Sequence, residues 1–250
     1  MSGHSKWSTI KHKKAALDAK RGKVFTRIIK ELSVAARMGG GDPNGNPRLR
    51  SAIVEARAAN MPADNIKRAI QKGTGELPGQ AYEEVSYEGY GPGGVAIFLE
   101  SLTDNRNRTT PELRHLFTKH GGNLGEPNSV GWMFDKRGRI VVPSRAVTEE
   151  RLLELVLEAG ASDVRQDGED FEILTPAESF HEVQKALEAA GLTPSQGAVV
   201  REASTVVHLE GKKAEACLRL LDALEEHEDV QHVYANLEVD EASLEAGGSR

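Results

Sequence analysis

The residues best suited to chemistry cluster at the N-terminus, and the chemistry they suit is the holding of phosphate. In MSGHSKWSTIKHKKAALDAKRGKVFTR the cations Lys6, Lys11, Lys13, Lys14, Lys20, Arg21, Lys23 and Arg27 are interleaved with His4 and Trp7. Ammonium and guanidinium groups neutralise backbone phosphates, and an indole can stack on a base or ribose. Within residues 1–30 nine basic side chains face one acid, Asp18. A second cationic feature is the DNRNR stretch, where Arg106 and Arg108 stand among Asn105 and Asn107 between a predicted strand and a predicted helix start. Two guanidinium groups and two amides placed there suit a phosphate or an exposed base edge. The plainer alternatives are a solvated helical face, a polar loop in which Asp104 pairs with an arginine, and a core position for Trp7.

Other chemistries are poorly served. The glycine-rich loop GYGPGG at 89–94 invites comparison with a phosphate cradle, but it lacks a Gly-Lys-Ser/Thr ending and joins two predicted strands. A wide hairpin turn is the favoured reading, and a phosphate-binding enzyme built on residues 88–94 is kept as a lesser alternative. His4 and His12 stand eight residues apart with no cysteine or carboxylate cluster beside them, so no metal and no cofactor is expected. The single cysteine, Cys217, shares a helical face with Leu220, Leu221 and Leu224 and reads as packing. The acidic run Glu225-Glu226-His227-Glu228-Asp229 reads as a solvated helix end and turn. No nucleophile or metal site stands with an oriented acid or base, so the protein is expected to be non-enzymatic.

The overall charge of −6 hides a strong asymmetry. Residues 1–75 carry 16 basic and 5 acidic side chains, net +11, whereas the remaining 175 carry 16 basic and 33 acidic, net −17. Such a division implies that one segment meets a polyanion while the rest repels it. The chain has no apolar run of the roughly 18 residues that a membrane span needs, and its start lacks the apolar stretch of a secretory signal. The expectation is a cytoplasmic protein with no membrane partner. Its oligomeric state is left open.

Hydrophobic periodicity supplies the elements that position these residues. A helix is predicted over 9–37, carrying Val24, Phe25, Ile28, Ile29, Leu32 and Ala36 on its apolar side, with Lys30 left for another face. Two shorter helices follow, one capped by Asn46 with Pro47 in its first position and one opened by Pro62. Neither gives a clear helix-turn-helix. Beyond the linker TGELPGQ, strands are predicted at 82–87, 94–99 and 130–134, with a helix starting at Thr109 or Thr110. After a DKRGR turn, residues 139–205 run βαββαβ, the ferredoxin-like order. A final strand, helix and strand over 205–235 would complete a second such unit with 94–134. The predicted fold class is therefore α+β and multi-domain: a basic helical domain at 1–75, a discontinuous α+β domain at 81–135 plus 205–240, an inserted ferredoxin-like domain at 136–204, and a disordered tail at 241–250.

Seven separated segments, in order, resemble the YebC family: GHSKW at 3–7, KRGK at 20–23, GGGDPNGNPRLR at 39–50, EGYGPGG at 88–94, DNRNRT at 104–109, GGNLG at 121–125 and the SVGWMF strand. That family includes the mitochondrial translational activator of cytochrome c oxidase. Here GHSKW begins at residue 3, which leaves no room for a cleaved presequence and favours a bacterial, cytosolic member. The resemblance implies three domains and a regulator of gene expression, described in the family both as a DNA-binding transcriptional regulator and as a ribosome-bound translation factor. Because the cations are spread out and suit phosphate contacts, the first expectation is a ribosome-associated factor. It would bind ribosomal or transfer RNA and relieve stalling, for example at consecutive prolines. The alternative is a DNA-binding transcriptional regulator.

Overall fold

The computed structural model describes residues 21–239. Three helices come first: α1 (Arg21–Gly39), α2 (Pro47–Ala58) and α3 (Ala63–Thr74). Their apolar stripes close one small core of Ile28, Leu32, Ala35 and Ala36 from α1, Leu49, Ala52 and Ala56 from α2, and Ile66 and Ala69 from α3, with Met61 between. Asn46 does more than cap α2. Its side-chain oxygen accepts from Leu49 N–H at 3.0 Å, and its amide donates to the Ala35 and Gly40 carbonyls at 2.8 Å each, which binds the glycine-rich loop to the end of α1. Arg48 forms a bidentate pair with Glu31 on α1, at 2.6 and 2.9 Å.

Helices α1 and α3 meet backbone to backbone at Gly73, where an added Cβ would lie 2.3 Å from the Ser33 carbonyl oxygen. Ser33 Oγ donates to Ala69 O at 3.0 Å beside it. Gly73→Ala is therefore expected to lower stability by about 1–3 kcal/mol through overpacking, although alanine is the better helix former by about 1 kcal/mol. Urea denaturation checks the sign, and a stabilised variant would show that the helices can separate at little cost.

The next sheet runs β3-β1-β2-β9, formed by β1 (Glu83–Tyr90), β2 (Ala96–Thr103), β3 (Asn123–Leu124) and β9 (Val230–Ala235). Helices α4 (Arg106–Lys119) and α7 (Gly211–Glu225) share a core with it, through Tyr87, Ile97, Leu99, Leu113, Phe117, Leu220 and Leu221. Cys217 is fully buried there, and burial pushes its thiol up to about 12. The strand β8 (Val207–Leu209) does not enter this sheet and pairs in parallel with β10 (Leu237–Val239). The second βαββαβ unit expected from 94–134 and 205–235 is therefore altered: the edge of β2 away from β9 is held by β1, whose eight residues pair with it in continuous register.

The inserted unit spans residues 132–204. Its strands β4 (Phe134–Pro143), β5 (Asp163–Asp167), β6 (Asp170–Pro176) and β7 (Gln196–Ala203) form an antiparallel sheet of order β5-β6-β4-β7. Helices α5 (Glu149–Glu158) and α6 (Phe180–Ala189) join β4 to β5 and β6 to β7, which is the ferredoxin-like arrangement. Ile140, Val142, Phe171, Ile173, Leu152, Val156, Phe180 and Val183 form its core. Three expectations need correction. DKRGR is not a turn but part of β4, because Gly138 clears space for Thr175 Oγ1 and for Phe180, which lie 2.2 and 2.8 Å from where a Cβ would stand. The segment 130–134 is not a strand, since a 3-10 turn occupies Gly131–Met133. The inserted unit accordingly begins at 132 and not at 136.

Candidate nucleic-acid interface

Helices α2 and α3 are joined by the four residues 59–62. Asn60 takes a left-handed conformation, φ 57°, and its N–H bonds Arg57 O while Met61 N–H bonds Ala56 O. Asparagine tolerates that region because its short polar side chain imposes little steric cost. Met61 is buried in the core that the three helices share. The connection between the two helices has the length found in a helix-turn-helix. The signal was weak because the turn carries asparagine where glycine is the usual marker.

The second helix of that pair carries a distinct outer face. Ile66 and Ala69 point to the core, whereas Asp64, Lys67, Arg68 and Lys72 are exposed at the complementary helical spacing. Lys67, Arg68 and Lys72 have no ion-pair partner among the described residues. Arg57, near the end of α2, is likewise exposed and unpaired within that range. Sequence reasoning missed these four cations because it weighed the density of charge in residues 1–30.

The cations singled out from sequence fare differently. His4, Lys6, Trp7, Lys11, Lys13, Lys14 and Lys20 lie outside the described residues, as does the side chain of Arg21. Lys23 is exposed and 4.0 Å from Glu226. Arg27 is half-buried, and burial lowers its pKa against the opposing pull of Glu225, Glu226 and Glu55. Arg106 and Arg108 lie in the first turn of α4, which starts at Asn105 as its cap, earlier than the predicted Thr109. Cations at a helix N-terminus face the positive end of its dipole, so they need anionic company. Arg106 has Glu83 at 2.8 Å. Arg108 has Asp229 at 2.7 Å and Asp104 at 3.1 Å, and the Asp229 hydrogen bond raises its pKa.

Asp229 is the centre of a buried network that the sequence did not reveal. It is fully buried, and its carboxylate accepts from Lys30 Nζ at 2.6 Å, Arg108 Nη2 at 2.7 Å and Thr109 Oγ1 at 2.7 Å. Lys30 is itself buried and also donates to the Glu228 carbonyl at 3.0 Å. Burial alone would raise the Asp229 pKa, but the hydrogen bonds from Lys30, Thr109 and Arg108 outweigh it and hold the carboxyl at about 2. The acidic run read as a solvated turn thus supplies the anchor that ties α1 to the α+β sheet. Glu112, His227 and Asp229 also approach one another. His227 Nδ1 accepts from Asp229 N–H, leaving Nε2 for Glu112 at 3.0 Å, so an internal hydrogen-bonded chain uses these groups.

The 88–94 loop is likewise engaged with itself. Gly91 N–H donates to Val95 O and Gly94 N–H to Gly91 O. Glu88 is buried, and its carboxylate accepts from the N–H groups of Asn128, Val130 and Gly131 at 2.9, 2.7 and 2.6 Å.

Comparison with known proteins bears on the family and on the fold. Residues 5–76 match the TACO1/YebC protein N-terminal domain, and residues 82–237 match the TACO1/YebC second and third domain. The chain belongs to the TACO1/YebC family. A relative from Acidobacterium capsulatum is 59% identical over 247 residues, covering 99% of this chain and all of its own length. Another from Geobacter sulfurreducens is 58% identical over 245 residues, covering 98% of this chain and 99% of its own. Both are named probable transcriptional regulatory proteins. A crystal structure of a conserved hypothetical protein from Aquifex aeolicus superposes with a TM-score of 0.84 at 50% identity, covering 95% of this chain and 98% of that one. Among the described residues, no helix is long and apolar enough to cross a membrane.

Proposed function

We propose that this protein is a non-catalytic, DNA-binding regulator of transcription that docks through its N-terminal helices. The observation that carries the reading is the exposed face of α3, where Lys67, Arg68 and Lys72 stand on the second of two helices joined by a short turn, without carboxylate partners among the described residues. The names of the relatives support DNA over RNA, which places the ribosome-associated reading second. In this reading α3 contacts the groove and its phosphates, and the cations of residues 4–27 extend the grip along the backbone. The negative charge of the remaining chain disfavours unselective wrapping.

Fluorescence anisotropy with duplex promoter fragments tests the proposal, run beside ribosome pelleting at two salt concentrations. Selective duplex binding with no co-sedimentation is the expected result. Co-sedimentation at physiological salt with no promoter preference would instead favour ribosomal or transfer RNA as the partner. Charge reversal at Lys13, Lys14 and Lys20 together is expected to weaken binding and flatten its salt dependence while leaving the thermal midpoint unchanged. Unaltered binding would remove the N-terminal segment from the interface.

A further inference from the structure

Helices α1 and α3 and the segment that leads from α3 to β1 enclose a cleft of about 350 Å³, lined by Ile29 and Ser33, by Lys72, and by Pro78, Gln80 and Tyr82. Small-molecule sites occupy roughly 300–1,000 Å³, so a small ligand fits. The segment is tied at both ends. Leu77 N–H donates to Gln71 O at 3.1 Å, and Gly79 lies against the Lys72 stem, where an added Cβ would stand 3.0 Å from Lys72 Cβ. At the far end Arg37 Nη2 donates to Tyr82 O.

The walls are apolar at Ile29, Pro78 and the Tyr82 ring, and the polar groups beside them include unused donors. Tyr82 Oη donates to Gln80 Oε1 at 3.1 Å, which leaves the Gln80 amide N–H groups without a partner among the described residues. Burial raises the Tyr82 pKa, and the carboxylates of Asp104, Asp229 and Glu228 raise it further, so the phenol keeps its proton and that hydrogen bond. Those three carboxylates are already answered, Asp229 by Lys30 and all of them by Arg108. Lys72 is different, because it has no ion-pair partner among the described residues. An ammonium with no carboxylate to give up gains the full strength of a charge-assisted hydrogen bond when an anion arrives.

We propose that this cleft binds a small organic anion, with its apolar body between Ile29, Pro78 and the Tyr82 ring and its carboxylate on Lys72 and the Gln80 amide. Lys72 is also one of the three cations on the outer face of α3, so the occupant competes with DNA for it. The competition rests on the proposed function, whereas the binding stands apart from it. Antagonism of this kind is reciprocal: DNA weakens the anion by the factor by which the anion weakens DNA.

Sodium benzoate is the probe and benzyl alcohol its uncharged counterpart, each titrated into the isotope-labelled full chain and followed by amide NMR. Benzoate is expected to shift the amides of Ser33, Lys72, Gln80 and Tyr82 saturably and to bind about tenfold more tightly than benzyl alcohol, the effect of one charge-assisted hydrogen bond. Lys72→Met should abolish that preference, and Lys72→Arg should keep it. With ionic strength matched by sodium chloride, saturating benzoate should weaken duplex binding by about two- to fivefold in the native chain and not at all in Lys72→Met. Absence of saturable shifts at these positions, or equal affinity for the two probes, overturns the inference. So does a benzoate affinity that Lys72→Met leaves unchanged. Benzoate binding that leaves duplex affinity untouched overturns the competition, and a chain that binds benzoate but no duplex overturns the DNA-binding reading and keeps the cleft.

Discussion

Asp229→Ala is expected to destabilise the fold by about 3–5 kcal/mol, because it removes one side of a buried ion network and leaves the other uncompensated. Lys30 would remain buried with only carbonyl oxygens to accept from it, and Arg108 would lose its nearest carboxylate. Lys30→Met is expected to cost less, since Asp229 would keep Arg108 and Thr109 as donors. The two substitutions are unequal even though they break the same 2.6 Å contact. The pH dependence has a definite sign. A carboxyl held at about 2, below its usual 3.8, contributes stability that is present above pH 3.8 and lost as the pH falls through 2. A shift of that size corresponds to about 2 kcal/mol, less than the truncation cost because protonation leaves the side chain in place. Urea midpoints measured between pH 5 and pH 2 should fall more steeply for the native chain than for Asp229→Ala. Parallel curves, with a truncation cost below about 1 kcal/mol, would show that water reaches the network.

That network also marks the boundary of what the chain reveals before it folds. Asn46 as a cap, the stripe Ile28, Leu32 and Ala36, and the βαββαβ order of the inserted unit were all legible, because each rests on local chemistry or on a repeating period. Lys30 was assigned to an outer face because helical spacing separates polar from apolar sides but does not say which polar side meets another element. Its partner lies 199 positions away, and no local pattern links the two. Gly138 misled for the opposite reason. Glycine among charged residues is a turn signal, but here the missing Cβ makes room for Thr175 on the neighbouring strand and for Phe180 of α6. The basic character of the N-terminal region was plain from composition. Which cations remain available was not, since Arg106 and Arg108 met carboxylates and Lys67, Arg68 and Lys72 did not.

The combined variant Lys67→Ala, Arg68→Ala and Lys72→Ala is expected to weaken DNA binding about ten- to hundredfold at physiological salt and to flatten the slope of log affinity against log salt by about 2–3. Its stability should change little, because the three side chains are exposed and serve no ion pair among the described residues. Arg108→Ala is the informative contrast. That guanidinium already neutralises Asp229 and Asp104, so its loss should appear first in the denaturation midpoint and only weakly in the salt slope. A cation that binds a phosphate must give up any carboxylate it holds, so a preformed pair lowers the gain from each contact. If Arg108→Ala flattened the slope as much as the triple variant while the denaturation midpoint held, the interface would lie at the N-terminus of α4 and not on α3. If both variants bound DNA as the native chain does, the contact would fall to the cations of residues 4–21.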